Sequence, residues 1–464
     1  MPSAVFHRSV LKDYAVASKG GGVYLQTEDG QSILDGCSGA AVSNIGHNNE
    51  EVVSSKASSE KLNGFTEDAD TDVQIDAIIA QARNLAFAHT ASFTSRPAED
   101  LASFLLQESH GAFSRAYFLC SGSEAIEAAL KLARQYHLMN DEPDRVNIIG
   151  REFSYHGNTL GALAAGHNLA RRDPFAPLLG PNFHHVSRCF YGYDGHGLSE
   201  QEYEDKLIAE FETKFVELGT HTIAAVIVEP VVGATLGTVP ATKTYLPRLK
   251  ALCEKHGALV IFDEVMCGMG RLGTYHAWQT LGGVSPDLQT IGKGLAAGYQ
   301  PVSGVLISKK IYDVYARVDE KTGDTKPFIS AHTYQGHSIG CAAAFAVQTV
   351  VKREGLIAKA KEMGEVLAKN LLGVPASINF TCRGVGLFRT IDFGVSGQEY
   401  GGPLAKEVQV ECFRQGAAVY LCSSAVDGIL FAPPFIITEE EIKELTTIFW
   451  KSVQSVLQKR TKPN

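Results

Sequence analysis

The chain has 464 residues, 45% of them hydrophobic and 20% charged, with a formal net charge of −9. That length can bury the cores of two domains, and an acidic balance without a basic cluster excludes nucleic acid or an anionic membrane as the expected partner. Nine scattered cysteines without CxxC spacing read as reduced thiols, no metal site is expected, and no apolar run reaches membrane-spanning length.

From about Leu85 to Gln348, strand-like runs alternate with helical patterns. The runs are Tyr117 to Cys120, Val146 to Gly150, Ala224 to Val228, Leu259 to Asp263, Leu288 to Ile291 and Gly304 to Ser308. Helical periodicity covers Tyr203 to Leu218 and Tyr245 to His256. The pattern predicts an α/β fold: a mostly parallel sheet covered by helices over 85–348, with site residues at its carboxyl edge. The two ends, 1–84 and 349–464, are expected to pack together as a smaller α+β domain. Thr438 and Glu441 predict a capping box for a last helix whose apolar face is Ile442, Leu445, Phe449 and Val453.

Several of these segments carry chemistry. The first predicted strand runs into Ser121-Gly122-Ser123-Glu124 and an amphipathic helix. Gly122 admits close backbone approach, Ser123 adds a hydroxyl, and the helix amino end favours a phosphate dianion. Taken alone, that stretch also reads as an ordinary serine N-cap. Tyr155, with His156 beside it in Ser154-Tyr155-His156-Gly157, offers an aromatic face to stack on a pyridine ring. The buried-strand run ending at Asp263 delivers a carboxylate to a sheet edge, and Val265 two residues on can cover the other ring face. Lys293 then stands in a glycine-flanked turn. An acid to hold a pyridine nitrogen protonated and a lysine to form a Schiff base are what pyridoxal phosphate chemistry needs.

Ordered segments extend this pattern along nearly the whole chain: GGGVYLQTEDGQSILDGCSGAAVSNIGH, FLCSGSEAIEAALKLAR, REFSYHG, AAVIVEPVVG, VIFDEVMCGMGRLGT, TIGKGLAAGYQP, HTYQGH and LFAPPFIITEEEI. On these the chain resembles the class III (ω-amino acid type) pyridoxal-phosphate-dependent aminotransferases, of fold type I. The resemblance implies Lys293 as the Schiff-base lysine and Asp263 as the partner of the pyridinium nitrogen. It implies Gly122, Ser123 and Thr333 as phosphate contacts, Thr333 coming from the second subunit of a homodimer with shared sites. Tyr155 is then the stacking ring, and Glu229 lies beside the substrate pocket. The expected activity is ping-pong transfer of an amino group between an amine or amino acid and a carbonyl compound or keto acid. Another reaction of the same cofactor on this scaffold (racemisation, aminomutation or decarboxylation) is the alternative. The amino terminus lacks a secretory core and the last residues match no address, so the cytoplasm is the expected compartment.

Departures from the family pattern sharpen the reading. Ser54 to Gln74 is a polar, acidic, aperiodic tract where relatives run a short helix directly. It reads as an exposed insert, with translated non-coding sequence as the other reading. Glu50 and Ser338 replace prolines common after the glycine–histidine pairs, a change of little expected consequence. Many relatives also carry an arginine before the carboxy-terminal APPF-like segment, where it clamps a substrate carboxylate. Leu421 to Gly428 has none. An α-carboxylate is then expected to be discriminated weakly unless an arginine from elsewhere, Arg96 or Arg271, takes over.

Overall fold

The computed structural model describes residues 4–9, 12–53, 77–319, 322–373, 378–394 and 399–461. The Ser54 to Gln74 tract lies outside the described residues.

At the centre is a seven-stranded sheet. Its order from one edge is Arg115–Leu119, Ser303–Ile307, Leu288–Ile291, Leu259–Asp263, Ile223–Val228, Asn147–Arg151 and Phe183–Val186. The last five run parallel to one another, while Ser303–Ile307 is antiparallel to both of its neighbours. Ile223–Val228 and Leu259–Asp263 are buried at every position, which is why each reads as a continuous apolar run rather than an alternating one. Helices Gly122–Met139, Glu200–Leu218 and Tyr245–Lys255 connect and cover the strands. Packing splits by sheet face: Ala125, Ile126, Ala129 and Leu132 meet Ile227 and Ile261 in one cluster. Phe211, Phe215 and Leu249 meet Val226 and Val260 in another.

Chain from both ends contributes to a further cluster, in which Val23, Leu34 and Ile45 pack with Leu367, Phe393, Phe431 and Phe449. Two four-stranded sheets frame it, and one of them pairs Ala417–Ala418 in parallel with Ser32–Asp35. Helix Glu439–Thr461 closes it. Thr438 N donates to Glu441 Oε2 at 2.8 Å and Glu441 N donates to Thr438 Oγ1 at 3.2 Å, the predicted reciprocal cap. Ile442, Leu445, Phe449 and Val453 are all buried along its inner face.

Phe183–Val186 is the one strand of the large sheet that sequence patterning does not predict. Its four residues include two histidines and sit on the sheet edge, so neither an apolar run nor alternation marks it.

Candidate active site

Strand ends and the turns that follow them open into one cleft of about 880 Å³. Gly122, Ser123, Tyr155, His156, Glu229, Asp263, Val265 and Lys293 all line it, brought together from five separate stretches of chain. The sequence-predicted residue that the cleft of its own chain does not include is Thr333, which is exposed. Its loop is pinned to strand Arg115–Leu119, where Tyr117 Oη donates to Gln335 Oε1 at 2.5 Å and Gly336 N donates to Phe118 O at 3.1 Å.

The N-cap of helix Gly122–Met139 is Ser121, whose hydroxyl accepts from Glu124 N at 3.2 Å. Glu124 answers by accepting from Ser121 N at 2.9 Å. Capping is thus done by Ser121, and the amides of Gly122 and Ser123 stay at the open, positive end of the helix. A Cβ on Gly122 would come within 2.8 Å of Val265 Cγ1, so the close fit there requires glycine. Ser123 Oγ accepts from Asn158 N at 2.9 Å, which ties the helix start to the Tyr155-His156-Gly157 turn. Gly157 has φ +138°, and a Cβ there would meet Ser123 Oγ at 2.6 Å.

Asp263 ends the central strand and is 6% exposed. Its Oδ1 accepts from Val265 N and from Thr290 Oγ1, each at 3.1 Å. Its Oδ2 lies 2.8 Å from His156 Nδ1. An ionised carboxylate only accepts, so the proton of that pair sits on Nδ1. Oδ2 retains a lone pair for one more donor. Glu229 is held by main chain at both oxygens, Tyr155 N donating to Oε1 and Gly233 N to Oε2, each at 3.0 Å. Burial raises its pKa above the usual carboxylate range.

Lys293 opens a single helical turn and has a left-handed φ of +43°, a backbone state few non-glycine residues adopt. Burial lowers its pKa from 10.5, opposed by the nearby charges of Asp263 and Glu229. A lysine so placed is deprotonated more readily than one in water, which suits a nucleophile and a proton carrier.

These groups fit a phosphorylated pyridine aldehyde. The helix amides and Ser123 offer an anion cradle, Tyr155 a flat face, Asp263 a spare acceptor for a ring N–H, and Lys293 an amine.

Neither arginine suggested from sequence reaches the cleft. Arg271 is fully buried, donating to Pro433 O at 2.5 Å and to Asn44 Oδ1 while its guanidinium stacks 4.6 Å from the Phe435 ring centre. It is a structural clasp. Arg96 is exposed in the first turn of helix Arg96–Glu108 and also lies off the cleft. Arg171 does line it, with its guanidinium 5.0 Å from the centre of the Tyr155 ring. It sits in the four-residue helix Leu169–Arg172, in no motif, and sequence reading had no signal for it.

Comparison with known proteins gives the family and the fold. The family model described as aminotransferase class-III matches residues 72–453. An uncharacterized aminotransferase of Schizosaccharomyces pombe is 37% identical over 454 residues, covering 94% of this chain and 92% of the relative. A diaminobutyrate–2-oxoglutarate transaminase of Halomonas elongata is 30% identical over 476 residues, covering 97% and 94% of the two chains. The crystal structure of the omega transaminase from Pseudomonas jessenii in complex with PMP superimposes with a TM-score of 0.85 at 25% identity, over 96% of this chain and 93% of that one.

Proposed function

The chain belongs to the class-III aminotransferases, and from that premise we propose that Lys293 and Asp263 carry its amino-group transfer. It is a pyridoxal-phosphate-dependent transaminase of fold type I, working in two half-reactions. Its relatives' names speak of amino-group transfer, which sets the racemase, aminomutase and decarboxylase alternatives aside. The observation that carries the residue assignment is the convergence of one half-buried lysine and one buried, hydrogen-bonded aspartate on the same cleft.

When bound, the cofactor supplies a carbonyl that exchanges with the amino group and a ring that accepts electron density. The chain's residues do the rest. The amides of Gly122 and Ser123 and the Ser123 hydroxyl would bind the phosphate, and Tyr155 and Val265 would confine the ring. Asp263 Oδ2 would accept the ring N–H, and His156 holds that same oxygen at 2.8 Å. Lys293 would hold the cofactor through its amine and, once free, would carry the proton at the reacting carbon, a role worth about 10²–10⁴-fold. Glu229, anchored by two main-chain donors, borders the substrate space.

The reading extends to the assembly. The active unit is a homodimer in which Thr333 contacts the phosphate held by the other subunit. Support comes from the exposed position of Thr333 outside its own cleft and from apolar side chains left in water nearby, Phe93 at 65% and Tyr334 at 56% exposure. The chain divides into a cofactor-binding domain, 85–348, and a smaller domain built from 1–84 and 349–464. Its donors are amines or amino acids, its acceptors carbonyl compounds or keto acids, and its compartment the cytoplasm.

The assignment is tested by borohydride reduction of the holoenzyme followed by peptide mapping. The fixed cofactor is expected on Lys293, and Lys293→Ala is expected to lose both the linkage and turnover. A cofactor fixed elsewhere, or a linkage that survives Lys293→Ala, overturns it.

A further inference from the structure

A substrate carboxylate entering this cleft leaves water and needs a cation to meet it. The wall where relatives place their arginine is uncharged: Ser423 donates its hydroxyl to Thr235 O at 2.8 Å, and Ser424 follows it. Among the described residues, the lysines and arginines lining the cleft are Arg8, Arg171 and Lys293. Lys293 is occupied with the reacting carbon. Arg8 is exposed, where water and salt reduce an ion pair to little. Arg171 is half-buried, makes no ion pair among the described residues, and is steadied by the Tyr155 ring.

We propose that Arg171 is the carboxylate-docking residue of this cleft, receiving beside Tyr155 the carboxylate of keto-acid acceptors, to which the uncharged Ser423 and Ser424 offer no counter-charge. The guanidinium offers the planar, two-pronged donor set that a carboxylate matches, and stacking on a ring leaves those in-plane N–H groups free. The substrate class that follows is a carbonyl compound carrying a carboxylate, bound through Arg171 beside Tyr155. The inference rests on the transamination reading above and gives that site its acceptor specificity.

The test compares parent and Arg171→Gln holoenzymes with one amine donor and two acceptors, pyruvate and the uncharged propanal. Loss of one charge-assisted contact is expected to raise KM for pyruvate about ten- to a hundredfold with kcat little changed. Reaction with propanal should stay near the parent's. Propionate, which resembles the acceptor but cannot accept an amino group, should lose inhibition by a similar factor. Arg171→Lys should recover part of the pyruvate affinity, since an ammonium keeps the charge without the fork. Equal losses for pyruvate and propanal would overturn the proposal and leave Arg171 as a support for Tyr155. A larger pyruvate effect from Arg8→Gln would overturn it in favour of the other arginine. A parent inactive with both acceptors would overturn the transamination reading and this inference with it.

Discussion

His156 Nδ1 and Asp263 Oδ2 face each other at 2.8 Å, and both side chains are buried. The pairing aims one carboxylate oxygen, while Val265 N and Thr290 Oγ1 fix the other. Three donors thus fix where the carboxylate of Asp263 stands.

Asp263→Asn is therefore expected to retain cofactor, because the amide nearly preserves the shape of the carboxylate. Its first half-reaction should slow by about 10²–10⁴-fold, since an amide cannot keep the ring nitrogen cationic. Stopped-flow absorbance of the holoenzyme mixed with an amine donor measures this. A rate equal to the parent's would remove Asp263 from the chemistry.

Thr333→Ala should weaken cofactor retention on dialysis. Mixed with Lys293→Ala, it should recover part of the parent's activity. In the mixed dimer one cleft combines an intact Lys293 with an intact Thr333 from the other subunit. A fully active monomer in sedimentation, or retention untouched by the substitution, would contradict the shared site.

The depressed pKa of Lys293 links to stability in the cofactor-free protein. Burial favours the neutral amine, so folding there binds less proton than the unfolded chain does. The penalty is fully present below the folded pKa and fades as pH rises from that value toward 10.5, the ordinary lysine value. Cofactor-free Lys293→Met should accordingly be more stable than the cofactor-free parent at neutral pH, with the gap narrowing as the pH approaches 10. Denaturation midpoints at several pH values read this out. A gap that widens with pH would contradict the burial argument.

Phe449 is fully buried, with its ring 5.1 Å from Phe431 and 4.9 Å from Trp450. Phe449→Ala should cost about 3–5 kcal/mol, and a shifted urea midpoint would show it. An unchanged midpoint would mean that helix Glu439–Thr461 adds little to the core.

Most of this architecture was legible because its elements carry their burial in their composition. Leu259–Asp263 and Leu288–Ile291 are enclosed on both faces and read as unbroken apolar runs, and their observed bounds match the expected ones. Seven of the eight chain-local site residues were visible as motif positions, and all eight meet in the cleft. The eighth, Glu229, came through family resemblance because a lone glutamate after a buried strand has no local signature. The Ser121–Glu124 spacing is that of a capping box, so the cap that leaves Gly122 and Ser123 free was written in the sequence. Two matters lay beyond it. Arg271 sits in a glycine-rich segment that suggests a cleft, yet its hydrogen bonds go to Pro433 and Asn44, contacts that tertiary packing creates. Arg171 is near Tyr155 only because the chain turns back after helix Leu160–Ala165.

Glu229 is gripped by main-chain amides of Tyr155 and Gly233, and amides are present whatever side chain a residue bears. The acid's position is thus insulated from substitution along the walls around it. Met266, Ser423 and Ser424 can drift in size and polarity while this fixed landmark stays where it is. New substrate shapes become reachable by single changes at those wall positions, without rebuilding the floor of the cleft.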